Sequence, residues 1–263
     1  MYNKLVFLFV VLALSSLTFA QQKSDAPAVQ PVDTTCAFNL SSGSGHGLTT
    51  YCVTNNGNIA QFAANGTEFI NTGGPVIEGY GMCDATNPPF VSYFDYASSD
   101  SGNWSAATAT ISGTTVKVTR TTADGIWQLV QTITEMNGSP VSYGSAKIST
   151  AIKNLSTIER FPVVFRYAQV GGVFFDYDTT PTTALAMTPS ENGPGLSLAT
   201  TFITNPRDFS IARVSTVPAA PIPCAINNFS STFFEGNGGI GQQYDLDILP
   251  LHTFTITATY KPI

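Results

Sequence analysis

Histidine is nearly missing from this sequence: two occur in 263 residues, His46 and His252. A nucleophile relay or a histidine metal site needs a well-placed imidazole. Ser44-Gly45-His46-Gly47 sets a His near a Ser, but in a Gly-rich loop with no Gly-x-Ser-x-Gly elbow and no helix behind it, so it reads as loop. Charge is scarce as well, 11% of residues against the usual quarter, and the net charge is −6. That balance argues against nucleic acid gripped by a basic patch, and no nucleic-acid partner is expected. Helical periodicity is also absent: no segment beyond the first twenty residues keeps a 3.6-residue apolar period for ten positions, and 16 Pro and 22 Gly interrupt the chain. Cysteine is limited to Cys36, Cys52, Cys83 and Cys224, none close enough to another for a zinc site.

What is present begins with an export signal. Lys4, the apolar run Leu5 to Leu17, and Thr18-Phe19-Ala20 before Gln21 form the three parts of a cleavable signal peptide over residues 1–20. No membrane span is expected after its removal. Residues 21–35 are polar, contain Pro and lack periodicity, and read as a flexible leader. Residues 36–263 are expected to form one all-β domain, secreted or periplasmic. In an oxidising compartment the four cysteines imply two disulfides. Three pairings are open, and Cys52 with Cys83 plus Cys36 with Cys224 is the expected one.

From Cys36 onward the punctuation is that of hairpins. Asn55-Asn56-Gly57-Asn58, Asn65-Gly66, Ser112-Gly113, Asp124-Gly125 and Asn137-Gly138 supply residues that tolerate positive φ. Between them apolar and polar residues alternate with period two. Trp127, Leu129, Gln131 and Ile133 share one face; Ala146, Ile148, Thr150 and Ile152 share another. Val116 and Val118 alternate with Thr115, Lys117 and Thr119, and Phe254 to Tyr260 alternate with Thr253, Thr255, Thr257 and Thr259. These are half-buried antiparallel strands. The expectation is an antiparallel β-sandwich, or supersandwich, of at least ten strands. Residues 178–195, rich in Thr, Pro and Gly, read as one long loop.

Residues 105–170 carry a long strand after Asp124-Gly125, a hairpin at Asn137-Gly138, then Ala151-Ile152-Lys153-Asn154-Leu155-Ser156 and Phe161-Pro162-Val163-Val164-Phe165-Arg166-Tyr167. This run resembles the galactose mutarotase-like β-supersandwich proteins. The resemblance implies that fold. Catalytic members draw an acid from a histidine soon after this region, and here no His stands between His46 and His252, so epimerase chemistry is not implied. The segment Asn58–Asp84 is similar to bacterial secreted proteins and brings no function with it.

Three chemistries have candidate residues. Asp176 with Asp178, and Asp245 with Asp247, each fall on one strand face and could offer oxygen ligands to Ca²⁺; a solvated strand end is the simpler reading, and no metal or cofactor is expected. Glu78, Asp84, Asp95, Glu235 and Asp245 are carboxylates available for glycoside chemistry, with nothing in the sequence to bring two together. Rings cluster at Tyr80, Tyr93, Phe94, Tyr96 and Trp104, while Trp127 belongs to the core. Trp104, Tyr80 and Tyr96, with Asn103 as a hydrogen-bonding neighbour, are the expected ligand residues of a shallow sugar-binding surface. Asn-x-Ser/Thr at Asn39, Asn65, Asn103, Asn137, Asn154 and Asn228 is read as chance in a chain rich in Asn, Ser and Thr. The expected function is a non-catalytic binding module for an extracellular glycan. A carbohydrate-active enzyme (lyase, epimerase or hydrolase) using carboxylates and a structural or adhesive surface protein are the alternatives.

Overall fold

The computed structural model describes residues 33–42, 47–70, 74–139, 141–170, 174–177, 182–187, 195–200, 203, 207–215, 221–225, 229–230, 234–235 and 238–263. The signal peptide, most of the leader, His46 and Asp178 therefore lie outside the described residues. Within them every strand pairing is antiparallel. The first four strands are β1 (Phe38–Ser42), β2 (Thr49–Val53), β3 (Ile59–Ala64) and β4 (Thr67–Glu68). Then come β5 (Glu78–Asp84), β6 (Val91–Tyr96), β7 (Ser99–Asp100), β8 (Thr108–Ser112), β9 (Thr115–Thr121), β10 (Trp127–Met136), β11 (Ser145–Asn154) and β12 (Pro162–Val170). The series ends with β13 (Phe174–Tyr177), β14 (Thr183–Met187), β15 (Gly195–Thr200), β16 (Phe209–Ser215), β17 (Phe229–Ser230), β18 (Phe234–Glu235), β19 (Gly238–Asp245) and β20 (Thr253–Pro262). A short 3-10 turn, Pro223–Ala225, lies between β16 and β17.

They assemble into three sheets: β1-β2-β3-β4, β18-β13-β14-β15-β20-β11-β10-β9-β8, and β17-β16-β19-β12-β5-β6-β7. Alternation decides which face is buried. Trp127, Leu129, Gln131 and Ile133 of β10 are buried and the residues between them half-exposed, and β11 does the same. One core joins Tyr80, Met82, Val164 and Tyr244 of the seven-stranded sheet to Trp127, Leu129, Ile152 and Ile256 of the nine-stranded sheet. A second core brings Leu40, Tyr51, Val53 and Phe62 of the small sheet against Val116, Val118, Ile133 and Ile148. The four-stranded sheet thus covers part of the same inner face that the seven-stranded sheet covers elsewhere. Asn65-Gly66, Ser112-Gly113 and Asp124-Gly125 do sit at tight turns, with φ values of +48° at Asn65, +57° at Gly113 and +71° at Gly125.

Two expectations are corrected. The disulfides are Cys36–Cys52 and Cys83–Cys224. The β1–β2 hairpin pairs Asn39 with Cys52, so the residues just before β1 lie beside Cys52. Cys83, on β5, faces the 3-10 turn that carries Cys224. Residues 178–195 are not one loop either. Thr183–Met187 forms β14, with Ala184 and Ala186 buried and its neighbours half-exposed, because even a Thr/Ala segment finds a place in a sheet when its small side chains fit the inner face.

Candidate functional site

The turn between β2 and β3 points into the molecule rather than out of it. The Thr54 N–H donates to Asn58 O at 2.9 Å, closing the turn. Polar groups of the seven-stranded sheet then hold its backbone. Arg166 Nη2 donates to Gly57 O at 3.4 Å, and the Tyr80 hydroxyl donates to Asn56 O at 3.1 Å. The Ile59 N–H donates to the Glu78 carboxylate. Asn58 Nδ2 donates to Glu78 O at 3.2 Å and to Asp95 O at 2.9 Å. The chain's own turn fills this cradle.

Two ion pairs line this cradle. Glu78 Oε1 meets Arg166 Nη2 at 2.5 Å; the Tyr260 hydroxyl donates to the same oxygen at 3.0 Å, and Arg166 Nη1 donates to Gln131 Oε1 at 2.7 Å. Asp95 pairs with Arg120, whose Nε and Nη2 also donate to Ser105 O at 3.1 and 3.0 Å. The Arg120 guanidinium lies 5.4 Å from the Trp104 ring centre. Burial pushes the Asp95 carboxyl up to about 6, against the pull of Arg120 and Asn58. Burial likewise raises Glu78, opposed first by Arg166. Asp84, at the far end of β5, accepts from Trp127 Nε1 at 3.2 Å and pairs with Arg160 at 2.5 Å. Three of the carboxylates available for glycoside chemistry are therefore enclosed and paired with arginine.

The expected ring surface does not form. Trp104 is 1% exposed, Tyr80 3% and Tyr96 0%. Tyr80 and Tyr93 pack their edges on Trp104, with ring centres 5.6 and 6.2 Å away. The Tyr96 hydroxyl donates to Pro221 O at 2.9 Å. Tyr80, Tyr93 and Trp104 fill the space between sheets, whereas Tyr96, on the other face of β6, packs on Phe94 and Tyr167; in both places area removed from water is stabilising. Asn103 is half-buried, and its amide donates to Ser92 O at 3.0 Å. Of the Ca²⁺ candidates, Asp245 accepts from Gln243 Nε2 at 2.9 Å and Asp247 lies 3.1 Å from Arg207. Asp176 is on β13, opposite Leu185 in register. Among the described residues no group of three or more His, Cys, Asp or Glu could hold a metal ion.

Sequence reasoning missed the arginine–carboxylate pairs. The signal was there: Arg120 continues the inward series Val116, Val118, and Gln131 interrupts Leu129 and Ile133. A polar residue at an apolar position of an alternating strand needs a buried partner.

The open surface is the outer face of the nine-stranded sheet. Thr253, Thr255, Thr257 and Thr259 stand on it along β20, and their hydroxyls make no hydrogen bond among the described residues. The register extends this array sideways: Thr257 faces Ser149, Ser149 faces Thr132, Thr132 faces Lys117 and Lys117 faces Thr110. Strand spacing near 4.8 Å and a same-face repeat near 6.8 Å set hydroxyls on a regular grid.

No family model matches the chain, and no curated protein matches it in sequence. Solved structures do resemble it. A protein described as an aldose 1-epimerase from Escherichia coli K12 is 8% identical, with a TM-score of 0.50 over 86% of this chain and 99% of that one. A bacterial glucoamylase in complex with acarbose is 10% identical, with a TM-score of 0.53 over 90% of this chain and 34% of its own. A polysaccharide lyase is 11% identical, with a TM-score of 0.51 over 84% and 33%. The chain spans about a third of the glucoamylase and of the lyase. At such identities a likeness carries the fold and not the chemistry. The resemblance read from residues 105–170 therefore extends over most of the chain, as an antiparallel β-sandwich akin to those of the galactose mutarotase-like proteins.

Proposed function

We propose that this chain is an exported, non-catalytic carbohydrate-binding protein whose contact surface is the outer face of the nine-stranded sheet. The observation that carries the reading is the hydroxyl grid of β20 and its neighbours: open hydroxyls on a rigid sheet match the hydroxyls of a saccharide. The fold supports it, since the aldose 1-epimerase, the glucoamylase and the polysaccharide lyase named above all concern sugars. The ion pairs support the non-catalytic half, because Glu78, Asp84 and Asp95 are held by Arg166, Arg160 and Arg120. Two disulfides suit an oxidising compartment, extracellular or periplasmic.

A glycan array probed with the full exported chain, then with Thr255→Val/Thr257→Val, tests the reading. We expect saccharide binding that the double variant weakens about five-fold or more, with thermal stability kept, since each lost hydrogen bond contributes about 0.5–1.5 kcal/mol. Absence of any saccharide binding overturns the reading in favour of a structural or adhesive role. Turnover of a bound glycan overturns it in favour of the enzyme.

A further inference from the structure

The chain is acidic overall, yet its positive charge is not scattered. All four lysines of the described residues, Lys117, Lys147, Lys153 and Lys261, stand at outward positions of the nine-stranded sheet. Lys117, Lys147 and Lys261 are exposed and Lys153 is half-buried. The register ties them to the hydroxyl grid: Lys147 faces Thr259 on one side and Thr134 on the other, and Lys153 faces Thr253 and Gln128. No Asp or Glu holds an outward position of β9, β10, β11 or β20; Glu135 of β10 falls at the inward position opposite Ala146. Asp124, in the turn between β9 and β10, directs its oxygens to the Tyr93 and Thr122 hydroxyls. Among the described residues none of the four lysines has a carboxylate partner, whereas Arg120, Arg160, Arg166 and Arg207 all do.

From this sorting of charge we infer that the outer face binds an acidic polysaccharide, one bearing carboxylates on its sugar rings. The inference rests on the carbohydrate reading above and narrows it. Charge complementarity selects the class: unpaired ammonium groups among hydroxyls, with no acid at the outward positions of β9, β10, β11 and β20, match a polymer of hydroxyls and dispersed carboxylates. Lysine is a compact point charge, whereas densely charged sulfate or phosphate esters favour the arginine fork, which this face lacks. Single-stranded nucleic acid needs stacking rings, and the outward positions of β9, β10, β11 and β20 carry none.

Binding of the full exported chain to immobilised polygalacturonate tests the inference, alongside dextran, dextran sulfate, polyglutamate and single-stranded DNA. We expect polygalacturonate to bind most tightly and raised salt to weaken it, because exposed charges are screened within about 10 Å at 0.1 M salt. Lys117→Gln, Lys147→Gln, Lys153→Gln and Lys261→Gln should each weaken binding about two- to five-fold, and the four together about 30-fold or more. The single variants serve if the quadruple variant fails to fold. Wild-type affinity in the quadruple variant overturns the inference, as does equal or tighter binding of dextran sulfate, polyglutamate or DNA. Equal binding of dextran, kept by the quadruple variant, overturns it while the carbohydrate reading stands. Failure to bind any saccharide overturns both.

Discussion

Arg166 and Glu78 lie on neighbouring strands, two positions apart in register, and meet at 2.5 Å where solvent does not reach. Arg166 faces Tyr80 across the β12–β5 ladder and Glu78 faces Ala168, so the pair closes diagonally on one sheet face. That diagonal holds the carbonyl of Gly57 and the N–H of Ile59. One ion pair therefore joins the seven-stranded sheet to the β2–β3 turn, and Tyr260 and Gln131 bring in the nine-stranded sheet.

Breaking the pair from one side should be severe. Arg166→Met leaves the Glu78 carboxylate enclosed without a cation, and we expect a loss of about 3–5 kcal/mol in urea unfolding. Glu78→Gln/Arg166→Met removes the charge as well as its partner and should recover a substantial part of that loss. A double variant no more stable than Arg166→Met alone would show that the pair acts by packing and not by charge.

The turn should be equally intolerant of a side chain. Gly57 has a φ of +88°, and a Cβ there would come within 2.5 Å of Gln131 Nε2, whose amide is held by Arg166. We expect Gly57→Ala to destabilise by about 1–3 kcal/mol, read as a lower urea midpoint with an unchanged slope. Gly66→Ala, also at positive φ but with open space around its Cβ, should lose less.

Stability should fall as pH rises from about 4 to about 6. Asp95 titrates at about 6 in the folded chain and near 3.9 when unfolded, so in that window the folded state binds the extra proton. Glu78, raised by the same burial, acts in the same direction. Below the window both states are protonated at Asp95 and the effect is complete; above it both are ionised and the curve is level. Urea midpoints measured across this range check the sign, and a midpoint that climbs with pH contradicts it.

Much of the fold was legible because inward and outward positions differ in polarity. The even alternation of β10 and β11 marks them without any knowledge of their partners. Pairing was not legible. Cys83–Cys224 joins residues 141 positions apart, and no local signal reports such a contact. The rings misled for a related reason: Tyr80, Tyr96 and Trp104 stand beside glycines and polar residues, which resemble a loop surface until β5 and β6 are covered by the nine-stranded sheet on one face and by the 3-10 turn on the other. The lysine face was hidden by averaging. A net charge of −6 describes the whole chain, and only register shows that the lysines of three strands share one side.

The position of β20 bears on how the molecule is made. This strand, late in the sequence, lies between β11 and β15 in the middle of the nine-stranded sheet, pairing Tyr260 with Ala146 on one side and with Leu198 on the other. Until Thr253–Pro262 has left the ribosome, β11 and β15 each expose an unpaired edge and the sheet remains in two parts. Synthesis delivers the N-terminal part first, but closure waits for the strand that comes last in the described order. Such a chain cannot close its largest sheet until its last described strand is in place.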